Sequence, residues 1–267
     1  MTQAQPLRVE RPMAGLGGVV LLTLDLPERR NAMTAPLTDS WAHVVAGLRE
    51  DRDLRCVVVT GEGPAFCAGG DLSWIVEEPD ASVDGLRTRM LRFYRTWLSI
   101  RDLEVPVIAA LNGPAIGAGL CLALACDLRY ASAEAVLSMP FAALGMHPGM
   151  AATWLLPEAV GVPRARELLF TGRRVGAAEA AAIGLVHGVF PADDLLREVL
   201  DIAAGIAARA PVAIRLTKAA LARGGHASYA DALEWEALAQ PVTLATADVR
   251  EGVAAQVEQR RPRFTGR

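Results

Sequence analysis

The chain has 267 residues and carries 27 basic against 30 acidic side chains, a net charge of −3. That balance offers no electrostatic footprint for nucleic acid or an anionic membrane surface, and both are excluded as partners. The length allows one large domain or two small ones, either with a substantial core. In chain order, the opening segment MTQAQPLRVERPM lacks the apolar core of a secretory signal, so a reducing cytoplasm is the expected compartment. Val19 to Leu24 reads as a strand and Leu26 to Asn31 as the loop leaving it. Leu37, Trp41, Val44, Val45 and Leu48 recur at helical spacing, and Arg49 to Asp53 supply a polar exit. Cys56 to Thr60 forms a short Val-rich strand, followed by a glycine-rich loop from Gly61 to Asp71, the usual place for binding backbone. A second helix is expected from Val83 to Arg101.

The run from Val105 to Cys126 carries no charge, and a stretch of about 20 apolar residues is also the length of a membrane span. Asn112-Gly113-Pro114 interrupts it: proline removes a backbone donor and disfavours helix in the residue before it, and glycine permits a turn. The run therefore reads as a buried strand, Val107 to Leu111, then a turn, then a helix from Gly117 to Ala125. Asp127 to Ala131 and Val136 to Ser138 read as short strands, and the alternation up to here implies parallel crossover units. From Met150 onward the pattern is mostly helical: Ala151 to Val160, Arg164 to Phe170, Ala177 to Ile183, Asp193 to Arg209, Pro211 to Arg223 and Tyr229 to Ala245. Leu185 to Val189 breaks in as a strand, and the change of pattern near residue 200 marks a soft boundary.

Cys56, Cys67, Cys121 and Cys126 show no CxxC pair and no His/Cys ligand spacing, which disfavours a metal site or a disulfide scaffold. Gly113, Gly117 and Gly119 sit between a strand and a helix, but the dinucleotide fingerprint fails for want of its third glycine and of the acidic residue that should follow. Two glycine turns, Gly69-Gly70-Asp71 and Gly117-Ala118-Gly119, each follow a strand and could present unpaired amides to one anionic oxygen. Spacing alone leaves open whether they meet.

The segments Pro27 to Met33, Ala65 to Leu72, Asn112 to Gly119 with Ala125-Cys126-Asp127, Leu144-Gly145 with Pro148-Gly149, Leu168 to Gly172, Gly184-Leu185-Val186 and Arg260 to Phe264 resemble, in order and spacing, the crotonase superfamily, the enoyl-CoA hydratase/isomerase family. The resemblance covers nearly the whole chain. It implies an α/β fold with a spiral core of ββα units over residues 1–200, binding acyl-CoA, and a helical trimerisation region over residues 201–267. It further implies a homotrimer or a hexamer built as a dimer of trimers, no permanently bound cofactor, and coenzyme A entering as part of a thioester substrate. In the family two backbone amides hold the thioester oxygen and stabilise an enolate. By position these are the N–H groups of Gly70 and Ala118. The loop carrying Arg30 and Ala32 would lie along the coenzyme, with Arg30 a phosphate partner, and Ala68, Asp71, Leu72 and Trp74 would border the acyl group.

The catalytic side chains depart from that pattern. The resemblance puts Cys121 and Phe141 where a family hydratase carries its two glutamates, and Gly149 where other members carry an aspartate. Phenylalanine carries no proton, and a thiol in an apolar site stays protonated. A lyase or isomerase of this family remains the first reading, with ordinary hydratase activity doubtful. The alternative is a non-catalytic acyl-CoA-binding protein on the same fold. His147, on the loop that borders the reacting carbons in the family, is the candidate acid/base.

Overall fold

The computed structural model describes residues 6–12, 17–71, 73, 81–222 and 228–267. Three Val- and Leu-rich segments, β2 (Val19–Leu24), β3 (Cys56–Gly61) and β4 (Val107–Leu111), are buried along their whole length and pair in parallel, as strands covered on both faces do. Around them β1 (Leu7–Glu10) adds an antiparallel edge, and β6 (Leu128–Ser132) and β9 (Gly188–Phe190) extend the other side, giving the order β1-β2-β3-β4-β6-β9. A smaller sheet joins β5 (Ala115–Ile116), β7 (Val136–Ser138) and β8 (Val175–Gly176) in the order β5-β7-β8.

Alternation along the strands separates two cores. Val20, Leu22, Val57, Val59, Val107 and Ala109 face α1 (Ala35–Glu50) and α2 (Val83–Leu98), where Trp41 and Trp97 stack with ring centroids 4.8 Å apart. Val19, Leu21, Cys56, Val58, Ile108 and Ala110 face Leu195, Val199 and Ala203 of α6 (Leu195–Ala207). Residue 200, the soft boundary of the sequence reading, thus lies inside a helix packed on the sheet. The chain passes to its C-terminal helices, α7 (Pro211–Ala222), α8 (Tyr229–Leu244) and α9 (Ala247–Val257), only after it. Lys218 of α7 ties this region back to the sheet: its Nζ donates to Asp127 Oδ2 and to Val105 O, each at 2.7 Å, and Asp127 also accepts from the Val107 amide.

The fully buried α3 (Ala118–Ala125) packs on β5 and on α4 (Ala152–Thr171), which is broken at Gly161 (φ 75°, ψ 158°), and the short α5 (Ala177–Ala182) packs on β7, β8 and β9. Two expectations shift. Leu185 and Val186 are not strand, because both amides bond back to Ala180 O and close α5, so β9 begins at Gly188. The second helix ends at Leu98 and continues as a 3₁₀ turn, Ser99–Asp102. Among the described residues, no helix is long and apolar enough to cross a membrane.

Candidate active site

Parallel pairing brings Leu24 beside Gly61 and Val59 beside Ala109, so the loops leaving β2, β3 and β4 emerge along one edge of the sheet. Ligands of open parallel sheets bind at that edge. The loops are laced together by hydrogen bonds. Buried Asn31 accepts from the Leu26 amide and donates to Glu62 O and Ala65 O at 2.9 and 2.7 Å. The Ala68 amide donates to Arg30 O, the Met33 amide to Gly69 O, and the Ile116 amide to Cys67 O at 3.0 Å.

The two glycine turns therefore meet. Gly69 adopts φ +104°, and a Cβ there would stand 2.7 Å from Ile116 O and 3.5 Å from the Ala118 nitrogen. Gly119 lets α3 press against the first loop, since a Cβ on it would stand 2.2 Å from Cys67 O. Gly117, at φ 54° and ψ −116°, holds a conformation only glycine takes at ease and caps α3. Ala118 is the first residue of that helix, so its amide has no intrahelical acceptor. Among the described residues neither the Gly70 nor the Ala118 N–H donates to protein. Among the described residues, four of the five non-glycine residues with positive φ lie near this site, Arg30 and Asn31 on the loop after β2 and Met150 and Ala151 beside the cavity, and such strain concentrates at functional sites.

Gly70 and Ala118 line one cavity of about 180 Å³ together with Ala68, Asp71, Phe141 and His147. Its other walls are mainly apolar, from Met90, Phe93, Leu144 and Met150. Asp71 is turned to the rim: its carboxylate accepts from the Ser73 amide at 3.2 Å and from Arg29 at 3.1 Å. The Ser73 bonds and the Arg29 charge hold it below the usual carboxylate range. His147 is exposed, and its Nδ1 donates to Pro148 O at 2.8 Å, while its Nε2 has no hydrogen-bond partner among the described residues. Cys121 is fully buried on α3 with Sγ 3.6 Å from Gly149 O, and burial raises its thiol pKa far above the ordinary value. The Phe141 ring approaches within 3.8 Å of where a Gly117 side chain would begin. Arg30 and Ala32 sit on the neighbouring loop, Arg30 exposed and Ala32 half-buried. Leu72 and Trp74 fall outside the described residues.

One polar cavity residue was not singled out in the sequence. Tyr94, half-buried on α2, points its hydroxyl at Gly149, where an added Cβ would stand 2.4 Å from it. In sequence it belongs to the stripe Met90, Phe93, Tyr94, Trp97, whose helical spacing reads as core.

A sequence profile described as enoyl-CoA hydratase/isomerase matches residues 15–267. The chain belongs to the enoyl-CoA hydratase/isomerase family. It is 38% identical over 254 residues to the bovine mitochondrial enoyl-CoA hydratase domain-containing protein 2, covering 93% of this chain and 85% of that one. The crystal structure of an enoyl-CoA hydratase from Bacillus anthracis superposes with a TM-score of 0.91 at 34% identity, over 98% of this chain and all (100%) of that one. An enoyl-CoA hydratase from Polaromonas sp. JS666 gives 0.89 at 32% identity, over 97% and 99% of the two chains. The fold is thus the crotonase fold, with the C-terminal helical region read from the sequence.

Proposed function

We propose that the protein is a crotonase-family enzyme that binds an acyl-CoA thioester and stabilises its enolate through the N–H groups of Gly70 and Ala118. The observation that supports this is that two amides with no partner among the described residues line one largely apolar cavity, one of them at a helix N-terminus. Donors fixed in advance against developing negative charge need no reorganisation when the charge forms. Arg30, exposed beside Ala32, is free to meet a coenzyme phosphate, and Ala68 and Asp71 border the acyl group. The Nε2 of His147 serves as the acid/base. The compartment is the cytoplasm, where the buried thiols of all four cysteines stay reduced.

Cys121 and Phe141 support a second reading, a protein that keeps the amide cradle and binds acyl-CoA without turnover. One experiment separates the two. The wild-type protein and His147→Ala are incubated with enoyl-, malonyl-, chlorinated aryl- and hydroxyacyl-CoA thioesters, with products followed by mass spectrometry and binding by thermal shift. Turnover that falls in His147→Ala is expected; binding without product across the panel would leave the second reading. A related prediction concerns the missing carboxylates: Cys121→Glu combined with Phe141→Glu is expected to create crotonyl-CoA hydration absent from the unmodified protein. Strong hydration by the wild type would overturn this account of the site.

The quaternary state we propose is a trimer, alone or paired into a hexamer. In the single chain α8 buries no residue, and Leu238 and Val242, one turn apart on the same face, are 73% and 52% exposed. An apolar helix face left open in this way fits a contact between subunits.

A further inference from the structure

Gly149 has no conformational reason to be glycine, since its φ lies outside the left-handed range. What its missing side chain provides is room. A Cβ there would stand 2.4 Å from Tyr94 Oη and 2.9 Å from Cζ, so the phenol occupies the volume that any larger residue at 149 would fill. The same hydroxyl lies near Cys121, the buried α3 residue whose thiol faces the Gly149 carbonyl. Burial, and to a lesser degree the Cys121 thiol, push the Tyr94 phenol up, which keeps it a neutral O–H donor across the physiological range. Among the described residues that hydroxyl has no hydrogen-bond partner, whereas the Asp71 carboxylate is engaged with Arg29 and Ser73 and the His147 Nδ1 with Pro148 O. Its surroundings, Phe93, Met90 and Met150, are apolar.

We propose that Tyr94 is a specificity-determining residue that donates a hydrogen bond to an oxygen on the third carbon of the acyl group. The inference rests on the reading of this cavity as an acyl-CoA site. The thioester is then held at two points, its carbonyl oxygen by the backbone amides and its acyl oxygen by the phenol. A plain alkyl chain would displace water from the hydroxyl and give nothing back, and pockets built around a donor discriminate strongly against ligands lacking the acceptor.

Isothermal titration of the full chain with butyryl-CoA and with 3-hydroxybutyryl-CoA tests this. The wild type is expected to bind the hydroxylated thioester roughly tenfold more tightly. In Tyr94→Phe the ratio should fall towards one, and Gly149→Ala should copy that loss because its methyl displaces the phenol. Circular dichroism confirms that both variants fold. Equal affinities in the wild type, or a preference that survives Tyr94→Phe, would overturn the role of Tyr94 while leaving the acyl-CoA site standing. Failure of both thioesters to bind would remove the site and this role together.

Discussion

Replacing Ala118 by proline is expected to lower kcat/KM for a CoA thioester substrate by about 10²–10³-fold, the usual consequence of losing one preorganised oxyanion donor, worth about 2.7–4 kcal/mol. The substitution is chosen because it removes little else. Ala118 opens α3, and its N–H has no acceptor within the helix. Proline is favoured at the first helical position, where the lost donor was an orphan and its fixed φ suits the helix. Ala118→Ser, which retains the amide, is the matched control and should keep most of the activity. Unchanged turnover in a folded Ala118→Pro protein would remove this amide from the mechanism.

Gly119→Ala should act on the same cradle by a different route. The new methyl would stand 2.2 Å from Cys67 O and 2.9 Å from Cys67 C, both backbone atoms that cannot swing aside. Cys67 is itself fixed, its amide donating to Pro114 O and its carbonyl accepting from Ile116 N. The clash can be relieved only by moving α3 away from the loop that carries Gly70. A loss of about 1–3 kcal/mol of stability is expected from overpacking of this kind, with weakened binding of acyl-CoA because the two amides no longer converge. Denaturant midpoints and thioester titration measure the two effects, and a variant normal in both would show that the helix and loop are less tightly joined than their contacts imply.

Much of this was legible in the chain. The unbroken apolar runs of β2, β3 and β4 declared buried parallel strands, and Asn112-Gly113-Pro114 turned a run of membrane-spanning length into strand, turn and helix. The meeting of the two glycine turns was not legible from spacing. It depends on which strand ends lie side by side, a matter of sheet order and register rather than of local sequence. β1 passed unread because Leu7 and Val9 are its only apolar residues, and α9 because its alanines and scattered charges give little periodicity. Leu185-Val186 has strand composition, yet its amides are claimed by α5. Tyr94 was hidden for the opposite reason: it obeys the core pattern, and only the space beside Gly149 shows that its ring is packed while its hydroxyl reaches the cavity.

The cradle is made of main chain, and that has an evolutionary consequence. Main-chain donors are indifferent to most substitutions at their own positions, whereas the acyl side of the proposed site is drawn largely in side chains: Phe141, His147, Tyr94 and the space at Gly149. In the proposed site, point mutations can therefore exchange one acid, base or hydrogen-bond donor for another while leaving the main-chain donors in place. A lineage on this scaffold can pass through inactive intermediates that still bind ligand, so a change of chemistry need not begin with a loss of recognition.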